Sequence, residues 1–363
     1  MDVAVFECKN CGGNLEFKPG QSSLECPYCG TRNEIGAETP VDIQEELDYH
    51  SAIANLNASS QTTQIRETTC GGCGASVTFE ENATTGECPY CGTHVVATAG
   101  AHTALLPQYI LPFRVPRDDA KSRFRSWITS RRFAPNALKK YARVSEPLKG
   151  IYYPFWTFDA RTRSQYTGQR GEHYTEHIRT RDAQGNTVTR TVTKTRWYPA
   201  RGTVSRSFDD LLIPASNSLD RELVKRFNDY PLASMLAYDE QYLSGFHAES
   251  YSVELEDGFQ DAKSDMDQVI RQDVRRDIGG DVQRITSLHT QYDGVTFKYI
   301  VLPVYALKYK FRNKLFPVII NGVTGQVTGR RPVSWIKIAA LVLVVGAVLV
   351  GGYFALRYFG VIQ

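Results

Sequence analysis

The sequence predicts an α+β protein assembled from two small four-cysteine units, a strand-rich α+β body and one apolar C-terminal helix. Three observations predict this. All eight cysteines fall between residues 8 and 91, as four C-x2-C pairs. Residues 105–333 alternate apolar runs with turn signals, around two amphipathic helical patterns. Residues 336–356 are an apolar run with one charge, Lys337. The 363 residues suit two or three domains. The boundaries read as 1–36 and 67–98 for the cysteine units, 37–66 for a spacer between them, 105–333 for the body and 336–356 for the helix.

The cysteine units come first. Cys8-x2-Cys11 is followed after 14 residues by Cys26-x2-Cys29, and Cys70-x2-Cys73 after 14 residues by Cys88-x2-Cys91. The identical spacing marks an internal duplication. A secreted disulfide scaffold does not segregate its cysteines in this way, so the pairs read as metal ligands in a reducing compartment. Four thiolates held tetrahedrally suit zinc, and a closed site leaves no open position for catalysis. Cys8, Cys11, Cys26, Cys29, Cys70, Cys73, Cys88 and Cys91 are therefore the expected ligands of two structural zinc ions per chain. Neither unit is long enough to bury a useful core, so metal binding supplies most of its folding energy, about 10–16 kcal/mol for a structural zinc. The segments LEF (15–17) and SVTF (76–79) read as short strands.

These motifs, CxxCG followed by CPYCG, resemble the generic bacterial zinc ribbons of transcription-factor-like and primosomal-helicase-like proteins. The resemblance covers residues 8–30 and 70–92. Zinc ribbons bind DNA, RNA or protein, so the fold leaves the partner open. The first unit sets Lys9, Lys18 and Arg32 against Glu7, Glu16, Glu25 and Glu34, and the second has no Lys or Arg between Cys70 and Cys91. Phosphate binding needs clustered cations. Protein contacts are favoured for the ribbons, with nucleic acid as the alternative, and the net charge of +3 does not decide between them.

Between the units, PVDIQEELDYHSAIANL (40–56) carries Ile43, Leu47, Ile53 and Leu56 at roughly helical spacing, with Pro40 in a first turn. In the body, a helix is expected near 117–131, with Ala120, Phe124, Trp127 and Ile128 on one face. GIYYPFWTF (150–158) reads as a buried strand rather than an aromatic ligand cage. From Arg161 to Arg206 there are ten Lys/Arg against Glu172, Glu176 and Asp182, with AQGN (183–186) as a hairpin turn. This basic ribbon reads either as a solvated face or as a surface for acidic headgroups or an acidic partner. His173 and His177 fall on a strand, where residues four apart cannot share a metal. The clearest helix is 256–280, with Phe259, Ala262, Met266, Val269, Ile270, Val274 and Ile278 as its stripe and Gly279-Gly280 as its end. Three or four strands follow in 290–332, with RNK and NGVTG as turns. The chain carries no phosphate-binding glycine loop, no GxSxG and no carboxylate pair in a plausible setting, so no catalytic residue is expected.

The run from Ile336 to Leu356 is 21 residues, long enough to span a hydrocarbon layer of about 30 Å. Arg330, Arg331 and Lys337 precede it and only Arg357 follows, which by the positive-inside rule places the body in the cytoplasm. MDVAVFECKN lacks the features of a signal peptide. Ala347, Gly351 and Ala355 form a small-residue stripe compatible with homo-oligomers through this helix. Taken together, LPFRV, GIYYPFWTFDA, LSGFHAESY, VLPVYALKY and NGVTGQVTGRRPVSWIK look like a bacterial family of tail-anchored zinc-ribbon membrane proteins. That resemblance spans most of 70–337 and treats the ribbon at 8–29 as an addition. It implies a single-pass protein of the bacterial cytoplasmic membrane, not an enzyme. It also implies soluble partners of the phage-shock (PspA-like) or SPFH/flotillin-like and virion-core-like kinds, recruited to membrane lipid in envelope stress. The rival reading is a membrane-tethered nucleic-acid-binding protein that uses the ribbons and the basic 161–206 segment.

Overall fold

The computed structural model describes residues 6–35, 45–56, 62–69, 76–79, 85–87, 94–96, 101–131, 133–138, 148–181, 187–227, 229–312 and 314–358. The N-terminal unit is a three-stranded meander of β1 (Glu16–Phe17), β2 (Ser23–Glu25) and β3 (Arg32–Glu34). After it, β4 (Leu47–Asp48) pairs antiparallel with the body at Thr296 and Phe297. Helix α1 (Tyr49–Leu56) follows directly. The helix expected over 40–56 therefore begins only at Tyr49. Leu47 and Asp48 are taken up by the ladder, and the Asp48 carboxylate caps the helix by accepting the Ser51 N–H at 2.7 Å. Residues 40–44 lie outside the described residues.

Around the second cysteine unit run β5 (Thr62–Thr69), β6 (Ser76–Phe79), β7 (Thr85–Glu87), β8 (His94–Val96) and β9 (Ala101–Leu105). β5 pairs antiparallel with β6 and β9, and β7 with β8. The strand expected at 76–79 is β6.

The body is built on one nine-stranded sheet. Its path begins with β12 (Thr187–Pro214), β11 (Lys149–Arg181) and β15 (Val282–Phe311), then β10 (Tyr109–Ile110) and β13 (Leu236–Ala237). Also in it are β14 (His247–Ala248) on β11, and β16 (Lys314–Asn321) and β17 (Val327–Gly329) beyond β15. The expected strand at GIYYPFWTF opens β11. Ile151 to Phe158 are buried without interruption, because both faces of the sheet are covered there. One cover is α2 (Arg117–Thr129), which buries Ala120, Phe124 and Ile128 as its sequence stripe predicts. On the same face α3 (Leu255–Ile278) buries Phe259, Ala262, Met266, Ile270, Val274 and Ile278, while the opposite face is covered by residues 219–235, whose Leu223, Val224, Phe227 and Tyr230 pack with Tyr153 and Phe155. Each large side chain buried in this way stabilises the fold by about 1.5–3 kcal/mol.

Beyond Ala160 the pattern of β11 changes. Thr162, Ser164, Tyr166 and Gly168 stay buried under α3, while Arg161, Arg163, Gln165 and Thr167 are exposed on the other side. β15 leaves the sheet at the Gly171–Val282 pair. From there β11 and β12 continue alone as a two-stranded hairpin to the Arg181–Thr187 pair. The expected turn AQGN lies outside the described residues. At about 3.3 Å per residue, this hairpin extends about 30 Å past the three-stranded part.

At the other end of β15 the chain passes through β16 and β17 into α4 (Trp335–Tyr358). Its 19 residues Trp335–Tyr353 are long and apolar enough to cross a membrane, and none of that stretch is buried inside the protein. The base of α4 is fixed to the body. The Ser334 N–H donates to the Phe133 carbonyl at 2.8 Å, and Lys337 Nζ donates to the Ala134 carbonyl and Asn136 Oδ1, each at 2.8 Å.

Candidate metal centre

Two tight turns create the site. In each, the first cysteine N–H donates to a carbonyl five residues on: Cys8 to Gly13 at 2.8 Å and Cys26 to Thr31 at 2.9 Å. The return bonds run from Gly12 N–H to the Cys8 carbonyl and from Gly30 N–H to the Cys26 carbonyl, both at 2.9 Å. Gly12 and Gly30 have φ of 73° and 71°, a conformation that side chains disfavour. The β1–β2 and β2–β3 pairings then bring the two turns face to face.

The result gathers Cys8, Cys11, Cys26 and Cys29, with all four sulfurs within 4.8 Å of one another. Cys8 and Cys29 Sγ are 3.6 Å apart, and Cys11 and Cys26 Sγ 3.5 Å. These are free thiols, far beyond a disulfide bond length. A tetrahedral ion with metal–sulfur bonds of about 2.3 Å sets its sulfurs about 3.8 Å apart, so the quartet fits such an ion closely. Cys8 and Cys26 are buried, while Cys11 and Cys29 are exposed. The thiols are shifted unequally: the Gly13 N–H lowers Cys11, but the Cys29 and Cys26 sulfurs outweigh it and raise Cys11 to about 12. The Cys29 thiol is lowered to about 6, first by the Thr31 hydroxyl 3.1 Å away and then by the Thr31 N–H. Cys8 is lowered by the N–H groups of Asn10 and Cys11. Four cysteine sulfurs gathered in this way can hold a metal ion.

Cys70, Cys73, Cys88 and Cys91 lie outside the described residues. The β7–β8 hairpin beside them matches β2–β3 of the first unit, whereas β6 pairs with β5. β7 ends one residue before Cys88 and β8 starts three after Cys91, just as β2 and β3 flank Cys26 and Cys29.

The first cysteine unit is seated on the body. Leu15, Phe17, Leu24 and Ile35 belong to one buried cluster with Phe113, Tyr152, Tyr242 and Leu243. The Phe17 N–H donates to the Ser244 carbonyl at 3.0 Å, and Ser244 Oγ donates to the Leu15 carbonyl at 2.5 Å. The Gly20 N–H donates to the Phe113 carbonyl at 2.9 Å. The segment LSGFHAESY thus supplies a seat for this unit, a role with no local sequence signature.

A second convergence was not legible in the sequence. The sequence shows no carboxylate pair in a plausible setting. Asp159 sits on β11 between two bulges. Between Phe158 and Ala160 β12 gains one residue, and between Asp159 and Arg161 β15 does the same. Asp210 (φ 49°) and Gly294 (φ 57°) mark them. The bulge turns the Asp210 N–H onto Asp159 Oδ1 at 2.8 Å and brings Glu46, Asp159 and Asp210 within 4.8 Å of one another. Lys298, only 4% exposed, fills the centre, with Nζ 2.9 Å from both Glu46 Oε1 and Asp210 Oδ1. Thr296 donates to the other Glu46 oxygen. Burial pushes the Glu46 carboxyl up, but the Thr296 and Lys298 hydrogen bonds outweigh it and the net shift is downward. Asp159 is pushed up to about 7, mainly by burial, with Asp209 and Glu46 adding to the rise and the Asp210 N–H opposing it. An ammonium in the middle makes this an ion-pair network that ties the segment before α1 to the sheet. His173 and His177 stay apart on β11, with Nδ1 3.1 Å from Thr195 Oγ1 and Thr191 Oγ1 respectively.

No family model matches the chain, and no solved structure matches it. It is similar to a Bacillus subtilis (strain 168) protein, "Uncharacterized protein YdjG", with 25% identity over 341 residues covering 93% of each chain.

Proposed function

We propose that this chain is a non-enzymatic membrane adaptor of the bacterial cytoplasmic membrane. In this reading α4 spans the bilayer once, the body and ribbons face the cytoplasm, and soluble proteins are recruited to the membrane face. The observation that carries it is α4 itself: a fully exposed apolar helix rigidly tied at its base to a folded body. Water does not tolerate a patch of this size uncovered. Arg330, Arg331 and Lys337 on the body side against Arg357 beyond the helix support the orientation, as do cysteine thiols that need a reducing compartment. Zinc is the ion that best suits four cysteines, two ions per chain in a structural role. Confining partners to the membrane raises their effective concentration for one another. The resemblance of the body motifs points to PspA-like or SPFH/flotillin-like partners in envelope stress.

The test is copurification from membranes with the full chain and with residues 336–363 deleted. Proteins bound stoichiometrically to the full chain are expected in the soluble fraction after the deletion. Full-length chain recovered from membranes with no stoichiometric partner overturns the reading.

A further inference from the structure

The open face of the β11–β12–β15 sheet is chemically segregated. Side chains alternate along each strand, and the register puts the odd-numbered residues of 161–181, 187–207 and 287–293 on the side away from α3, with Val282 and Arg284 at its edge. Six arginines lie on that side: Arg161, Arg163, Arg179, Arg181, Arg201 and Arg284. Among the described residues of these segments the acid on it is Asp293, and the Glu46, Asp159 and Asp210 carboxylates around Lys298 adjoin its root beyond Arg161. On the hairpin, Thr187, Thr189, Thr191, Thr193 and Thr195 form an unbroken hydroxyl ladder opposite His173, Thr175, His177, Arg179 and Arg181. Thr167 and Ser287 add a hydroxyl pair nearer the root, 2.6 Å apart.

The other face is charge-balanced. Glu172 and Glu176 pair there with Arg170 and Lys194. Helix α3 brings Asp273 2.8 Å from Arg206, and the Asp277 carboxylate accepts the Tyr166 hydroxyl at 2.5 Å. The chain's small net charge therefore conceals one cationic face of roughly 65 Å between Arg161 and Arg181.

We infer that this face binds the phosphodiester backbone of double-stranded nucleic acid. Arginines interleaved with threonine, serine and glutamine are the donors that phosphate contacts use. Protein interfaces need an apolar, aromatic centre, and the described residues of this face offer a single aromatic ring, Trp197, covered by the Arg284 guanidinium 3.9 Å from its ring centroid, with Pro199 and Val282 beside it. Membrane-surface binding pairs its cations with apolar side chains that insert, and the same lack argues against it. A two-stranded β-ribbon, the form of the hairpin beyond Gly171, fits a major groove. The face and α4 leave β15 at opposite ends, separated by about 60 Å of strand between Asp293 and Phe311, so a tethered chain presents it away from its anchor. This activity goes beyond recruitment of proteins and does not depend on it.

The test uses the full chain in phosphatidylcholine nanodiscs and a fluorescein-labelled 40-base-pair DNA duplex, read by anisotropy. Binding is expected at 50 mM salt and should weaken about 500-fold at 200 mM for about five phosphate contacts. Arg161→Ala/Arg163→Ala and Arg179→Ala/Arg181→Ala should each flatten the salt slope by about 1.8. The hairpin pair lies outside the core, so it also serves if the first pair disturbs folding. Arg271→Ala on α3 should change nothing. No binding at 50 mM salt, or unchanged binding by both double variants, overturns the assignment. Equal competition by polyglutamate of the same charge overturns it in favour of an acidic protein. Loss of duplex binding in discs containing phosphatidylglycerol overturns it in favour of a membrane surface.

Discussion

Phe17 of the first cysteine unit, the proposed ribbon, meets Tyr242 of the body edge to face, with ring centroids 5.3 Å apart. Phe246 closes the same pocket, with its centroid 6.4 Å from that of Phe17. Ribbon and body thus share a core, and the ribbon's folding should be felt in the body. Phe17→Ala is expected to cost about 3–5 kcal/mol at this contact. In detergent, the tryptophan-fluorescence melt, which reports buried Trp156, should move to lower temperature. A ribbon hanging freely from a spacer would leave that melt unchanged.

Chelation should act through the same contact. The β1–β3 unit is too small to stand on its own core, so removal of its ion should unfold it and expose Phe113, Leu243 and Phe246. Metal analysis is expected to give two zinc per chain in the wild type. It should give one in Cys26→Ser and one in Cys88→Ser, and only the first should be accompanied by the body's loss of thermal stability seen with Phe17→Ala. A wild-type chain with no bound zinc would end the zinc assignment for both ribbons.

The cysteine plan was legible because metal geometry is local: two C-x2-C turns, each followed by a glycine, fix the sulfurs with few long-range contacts. The stripes of α2 and α3 and the buried run of β11 were legible for a similar reason, since periodicity records which face is covered. Two things escaped. The seat for the ribbon joins Leu15 and Ser244, residues 229 positions apart, and nothing at either position announces the other. The carboxylates around Lys298 meet only because bulges on β12 and β15 fall on either side of Asp159. Asp293-Gly294 inside a strand run was the available sign, since glycine there marks a bulge. The segregation of the open face was half visible. The ten cations of 161–206 were counted, but which of them share a face depends on register.

Asp159 gives the network a pH dependence of definite sign. Its carboxyl lies at about 7 in the folded protein, against 3.8 for the free side chain. Between these values the folded chain holds a proton that the unfolded chain releases. Stability from this group therefore falls as pH rises from about 4 to about 7, and is level above that. Asp159→Asn keeps an acceptor for the Asp210 N–H and cannot ionise. The variant is expected to lose this slope and to gain stability relative to wild type at pH 8, by about 1 kcal/mol after screening by solvent. Denaturant midpoints at pH 5 and pH 8 measure both. A variant whose difference from wild type is the same at both pH values would refute the raised carboxyl.

Gly168 tests whether the close approach of β11 and β15 holds Arg284 over Trp197. It sits where the β11–β15 register shifts, under the end of α3. A Cβ at this position would lie 2.3 Å from the Arg284 carbonyl oxygen and 3.1 Å from Ile278 Cδ1. The first neighbour is backbone and cannot rotate away, so Gly168→Ala must push β15 aside. A cost of about 1–3 kcal/mol is expected, the usual range for overpacking a well-fitted site. Because Arg284 rides on the displaced strand, its hold on Trp197 should loosen as well, and Trp197 should become more accessible to acrylamide quenching. Gly202 makes the useful comparison. An added Cβ there meets the Tyr166 hydroxyl at 2.7 Å and Asp277 Oδ2 at 2.9 Å, side-chain ends that can shift. Gly202→Ala should therefore cost less and leave Trp197 quenching as in wild type. Equal effects of the two substitutions would show that the backbone approach at Gly168 does not hold Arg284 over Trp197.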